Sequence, residues 1–289
     1  MALGRFADVN LATTSVLSGG TWSVDLPLSN LLDDSRYIGA PARQLTPAVL
    51  ANSKFEAVLA RPRSISLIGV LFHTMSLDAR YRLSIAAVGG TLAAPDLQTE
   101  WLPVYPRLFP SSQLAWEEAN WWTGQPQAAD LDLYPRHLWI SIPTPMITSA
   151  LRIEFDDHDN SAGFFDVGGL WIVSGWSPVM NFDRGRDLGI EARDLVDEGP
   201  SGRLFVEERA FRRVMSISWS RLTDAEALRL FDAGARARSS RNVLFAPDLD
   251  DGAALIREAF PATFETPPRP KFTYSGLNQV AAIIRETIA

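Results

Sequence analysis

The sequence contains no cysteine. Its absence removes disulfide scaffolds, thiol nucleophiles, iron–sulfur clusters and thiolate zinc sites together. Histidine is scarce: His73, His137 and His158 are the whole supply, thin stock for metal binding or acid–base chemistry. Lysine is nearly missing, since 25 of the 27 basic residues are arginine and only Lys54 and Lys271 are lysine. That bias reads first as codon usage in a GC-rich genome and second as a preference for planar, bidentate ion pairs. No apolar run approaches the ~20 residues that span a bilayer, so no membrane span is expected. The opening Met1-Ala-Leu-Gly-Arg5-Phe6 has no basic stretch followed by an apolar one, so the chain is expected to be made and kept in the cytosol or to leave the cell by another route.

What is present is a globular composition of 289 residues, 46% hydrophobic and 21% charged. That length suggests about two domains, and the composition excludes disordered, collagen-like and coiled-coil chains. The net charge of −7 is uneven: residues 1–180 hold 11 basic and 17 acidic side chains, residues 181–289 hold 16 and 17. An acidic first part makes a poor ligand for phosphate backbones, so no nucleic-acid specificity is expected. Eight of the nine tryptophans precede residue 177, which hints at two parts of different character.

Alternating apolar residues mark strands at Arg80–Ile85, His137–Ile142 and Leu151–Phe155, and Ile65–Phe72 suits a strand covered on both faces. Turn clusters separate them, and an irregular, tryptophan-rich insertion spans about residues 95–135. The texture changes near Trp176-Ser177-Pro178, which predicts a β-sandwich over 1–180, a β-rich domain over 181–289 and independent cores on either side. In the second part Thr223-Asp224-Ala225-Glu226 fits a capping box opening a helix over about 223–238. Ala227, Leu228, Phe231 and Ala235 are expected to form its buried stripe. Ala253–Phe264 and Lys271–Ile288 read as extended. The fold class is therefore all-β with one packed helix.

Enzyme signatures are missing: there is no Gly-x-Ser-x-Gly elbow, P-loop, dinucleotide fingerprint or His-Glu-x-x-His. Adjacent Glu117 and Glu118 rarely satisfy the cross-sugar spacing of a glycosidase pair, so no enzyme activity, catalytic residue or cofactor is expected. Asp156, Asp157 and Asp159 offer hard oxygen ligands to calcium, although a polar hairpin turn uses the same residues. Trp101, Trp116, Trp121 and Trp122 are candidates for stacking against sugar faces, for pinning the insertion down, or for a subunit contact.

Leu26-Pro27-Leu28-Ser29-Asn30-Leu31-Leu32, the pair Ala42-Arg43, His73, and Leu77-Asp78-Ala79-Arg80-Tyr81-Arg82 together resemble the discoidin-like (galactose-binding-like, jelly-roll) sandwiches of tailed-phage minor tail proteins. Leu151–Phe155, Asp157, Asn160, Gly163 and Phe164–Gly168 look like their closing strands. Residues 181–289, with a long strand and then Leu222-Thr223-x-x-Glu226, are similar to the tail-tube-like split β-barrel of distal tail and tail-tip proteins. The resemblance implies a structural virion protein, assembled in the host bacterial cytoplasm as a three- or six-fold cyclic homo-oligomer around the tail channel. Tube, hub, tape-measure and fibre proteins would be its neighbours, and Thr223, Glu226, Leu228 and Phe231 would belong to the assembly helix. The alternative is a carbohydrate-binding module for host-surface glycans.

Overall fold

The computed structural model describes residues 3–132, 136–198, 200–274 and 277–288. The first part supplies β1 (Arg5–Ala7), β2 (Val16–Ser18), β3 (Ala42–Gln44), β4 (Lys54–Leu71), β5 (Arg80–Ala87), β6 (Leu97–Gln98), β7 (Leu102–Pro103), β8 (His137–Asp156), β9 (Phe165–Val167) and β10 (Gly169–Val173). The second supplies β11 (Asp187–Glu191), β12 (Leu195–Glu198), β13 (Leu204–Glu207), β14 (Arg212–Leu222), α1 (Asp224–Ala237), β15 (Val243–Ala246), α2 (Gly252–Glu258), β16 (Phe260–Thr266), β17 (Lys271–Tyr274) and β18 (Leu277–Glu286).

In the first part the strands run β10-β4-β8-β5-β6 in one sheet, with β2 on β4 and β7 on β5, while β3 and β9 form a separate ribbon. The alternation of Tyr81, Leu83 and Ile85 puts those side chains into a core with Phe55, Ile153, Phe155 and Phe165. The two candidate strands at 137–142 and 151–155 belong to one long strand, β8. Its pairing with β4 is interrupted by register shifts between Val58 and Arg63 and between Ile65 and Leu67. Such shifts bend a strand and let one sheet cover both sides of a core.

The second part is a sheet ordered β1-β15-β16-β18-β14-β11, with β17 on β18. Met215, Ile217 and Trp219 of β14 alternate inward and meet α1. The helix starts as expected: Thr223 Oγ1 accepts from Glu226 N at 3.3 Å, and Glu226 Oε2 accepts from Thr223 N at 2.9 Å. Its phase differs from the expectation. Ala227, Leu230, Ala233, Gly234 and Ala237 face the sheet, whereas Leu228 and Phe231 are 51% and 52% exposed. The small residues select this face because they admit a close approach: a Cβ on Gly234 would lie 2.9 Å from Pro268 Cδ.

Two further expectations are corrected. Residues 252–258 are not extended but form the two-turn helix α2, whose N-terminal amides at Ala253 and Ala254 are capped by Asp251. The cores on the two sides of 177–183 are not independent. β1, from the start of the chain, pairs with β15 of the second sheet, and Phe6 joins that sheet's core. A third apolar cluster unites Tyr37, Leu67, Trp139 and Trp171 of the first part with Leu244, Leu255 and Ala259 of the second. Tyr37 Oη links them further, accepting from Trp171 Nε1 at 2.9 Å and from Asn242 Nδ2 at 3.1 Å. The all-β class with a helix packed on it stands.

Candidate binding surface

The tryptophan-rich insertion is a succession of tight turns locked from within; residues 133–135 at its end lie outside the described residues. Its root is buried: Tyr105 donates to the Met75 carbonyl at 3.0 Å, and Gln125 Nε2 donates to the Tyr105 carbonyl at 2.9 Å. Asn120, itself buried, donates to the Gln125 carbonyl at 2.7 Å and accepts from Gln127 Nε2 at 3.1 Å. Gly124 has φ +63°, and a Cβ there would stand 2.3 Å from the Phe109 carbonyl oxygen, so only glycine fits this crossing. The Gly124 carbonyl accepts from both Leu108 N and Phe109 N, at 2.8 and 3.0 Å.

Turns from Ala115 to Glu118 and from Glu118 to Trp121 bring three indoles together. Trp116 and Trp121 have ring centroids 4.5 Å apart, Trp121 and Trp122 4.6 Å, and Trp116 and Trp122 6.0 Å, with interplanar angles of 59°, 89° and 62°. These are tilted and edge-to-face contacts, the favoured aromatic geometries. The rings touch one another, so the cluster is a platform with no gap for a guest between them. Trp116 and Trp122 are 72% and 77% exposed. Trp101 is not part of it: the Arg82 guanidinium lies 4.9 Å above its ring and is paired with Glu154.

The acidic turn does not gather its carboxylates. Asp156 pairs with Arg80 at 2.6 Å and with His158 Nδ1 at 3.0 Å, whereas Asp159 takes His158 Nε2 at 3.0 Å. Asp157 is buried and points away, accepting from Ser76 N and Oγ and from Asn160 Nδ2. Among the described residues no group of three or more such side chains is placed to hold a metal ion. The hydrogen bond to Asp156, with the charge of Asp159, raises the exposed His158 above its ordinary pKa.

A second apolar surface lies on the other part of the chain. The hairpin β12–β13 pairs only within itself, and Leu195, Val196, Leu204, Phe205 and Val206 on it are all at least half exposed. The hairpin was missed in the sequence, where its signal is the turn-forming Pro200, Ser201 and Gly202 between two apolar runs. On α1, Leu228 and Phe231 stand three residues apart on the solvent side.

No protein-family model and no curated protein matches the chain. Among solved structures it is similar to the family 32 carbohydrate-binding module of Clostridium perfringens NanJ in complex with galactose. That likeness has 12% identity and a TM-score of 0.38 and covers 58% of this chain and 98% of that one. A second C. perfringens module of the same family, in complex with GlcNAc-α-1,4-galactose, gives 11% identity and a TM-score of 0.34 over 57% and 92%. The all-β class of the first part rests on the pairing of β10, β4, β8, β5 and β6 and of β3 with β9.

Proposed function

We propose that the chain is a carbohydrate-binding protein whose contact surface is the Trp116–Trp121–Trp122 platform. One observation carries the reading: two neighbouring indoles remain more than 70% exposed on a loop pinned by internal hydrogen bonds of Asn120, Gln125 and Gln127. Full burial of one large apolar side chain is worth about 1.5–3 kcal/mol, and contiguous exposed aromatic surface is characteristic of binding sites. Flat indole faces complement the apolar faces of pyranose rings, and a pinned loop presents them with little ordering cost on binding. No reaction is assigned to the site.

The test is a glycan array followed by titration of the best ligand. Trp122→Ala is expected to weaken binding about thirtyfold, as loss of a hot-spot aromatic costs about 2 kcal/mol. Its melting temperature should match the wild type, because the side chain supports no core. Unchanged binding by Trp122→Ala and Trp116→Ala would overturn the reading.

A second reading is favoured by the exposed hairpin and by Leu228 and Phe231. We propose that residues 181–289 attach the protein to a larger assembly, as in a ring-forming phage tail component of three- or six-fold symmetry bordered by other tail proteins. An isolated two-stranded hairpin is marginal in water, so a partner surface would stabilise it. Phe231→Asp should abolish assembly, measured by light scattering or by incorporation into particles. It should shift stability by less than about 0.5 kcal/mol. A loss of several kcal/mol would mean that Phe231 belongs to a core.

A further inference from the structure

Resting on the carbohydrate reading, we infer that the tryptophan platform selects sugars carrying a free, protonated amine over N-acetylated and acidic ones. The observation is a pair of exposed carboxylates within the turns that carry the indoles. Between Trp116 and Trp122 the chain has two acidic side chains, Glu117 and Glu118, and no cation, the nearest in sequence being Arg107. That cation is held within the loop, donating to the Phe109 carbonyl at 3.1 Å and to Ser111 Oγ at 2.6 Å. Glu117 and Glu118 sit between Trp116 and Trp121 in the chain, and both are exposed. Glu118 accepts from Ala115 N at 3.3 Å; Glu117 has no hydrogen bond or ion pair among the described residues. An exposed carboxylate next in sequence to an exposed indole suits one ligand chemistry: an apolar ring face for the indole and an ammonium for the carboxylate, with cation–π attraction from the same indole. The same field repels uronic and sialic acids.

Each exposed carboxylate–ammonium pair is worth up to about fivefold in affinity. The experiment uses the full chain at mildly acid pH and three probes: a short β-1,4-glucosamine oligomer, its fully N-acetylated counterpart and a uronic-acid oligomer. The expected order is glucosamine first, N-acetylated second and uronate last, with a preference of about fivefold to twentyfold for the first over the second. The double variant Glu117→Gln/Glu118→Gln should erase that preference while leaving binding of the N-acetylated oligomer unchanged. Salt of about 0.5 M should shrink it in the wild type by screening. Equal affinity for the glucosamine and N-acetylated oligomers, both lost in Trp122→Ala, would overturn the amine preference and leave the carbohydrate reading standing. Tightest binding to the uronate would overturn the preference too. Failure to bind any of the three, together with retention of a lysine-rich protein by the same surface, would overturn both.

Discussion

Replacing Glu286 with alanine should cost about 3–5 kcal/mol in urea denaturation, because it strands a buried arginine. Arg213 near the start of β14 and Glu286 at the end of β18 have side chains that are 2% and 0% exposed. Glu286 accepts from Arg213 N and Nε, both at 3.0 Å, and from Nη2. Arg213 Nη1 then donates to the carbonyls of Ile256 and Arg257, at 2.9 and 3.1 Å, which tethers the end of α2 to the sheet. The guanidinium also lies 4.6 Å from the Phe260 ring centre. With Glu286 gone, the charge keeps only two carbonyls and a ring face. A double change, Arg213→Met with Glu286→Leu, removes both charges and should cost much less than Glu286→Ala alone. A loss below about 1 kcal/mol for Glu286→Ala would show that water reaches this pair.

The second large effect is acid destabilisation. His73 is buried with neither ring nitrogen hydrogen-bonded, and burial, aided by the Arg136 charge, pushes its pKa down to about 3. His137 is likewise held well below its ordinary value by burial, then by the charges of Arg213 and His73. Its Nδ1 accepts from Phe72 N at 3.2 Å, so protonation there would break that bond. Phe72 itself has φ +50°, a conformation rare for an aromatic residue, and is held between the Tyr37 and His137 rings. The sign follows from which state takes up protons. Below pH ~6.5 the unfolded chain protonates both histidines while the folded chain does not, so stability falls as pH drops from about 6.5 towards 3. The slope is about 1.4 kcal/mol per pH unit for each histidine. The exposed His158, with its raised pKa, works in the opposite sense. Between pH 7 and pH 5 the melting temperature should fall steeply, and His73→Met should make the fall shallower. A flat profile over that interval would contradict the burial of these rings.

The features legible in the sequence were local ones. Alternation in Arg80–Ile85 located a strand and its inward face, and Thr223-x-x-Glu226 located the start of α1, because both are decided within a few residues. The phase of α1 was misread because two apolar sets interleave on it. Leu228 and Phe231 are the larger side chains, yet Ala227, Leu230, Ala233 and Gly234 won the sheet by permitting close approach to it and to Pro268. Residues 253–258 were read as extended because α2 is too short to show a period; its one local signal is the Asp251 cap. The pairing of β1 with β15 joins the first residues of the chain to the last third, and no local pattern announces such a contact. In the candidate site the residue types were legible and their assembly was not. Two turns and the Asn120–Gly124–Gln125 lock decide that Trp116, Trp121 and Trp122 converge while Trp101 lies under Arg82.

The central claim, that this platform receives a sugar, is tested most directly by following the nine indole N–H resonances during titration with an oligosaccharide hit from the array. Saturable shifts confined to Trp116, Trp121 and Trp122, with the other indoles unmoved, are the expected result. Binding that leaves those three resonances in place, or that shifts Trp101 or Trp176 instead, would contradict it.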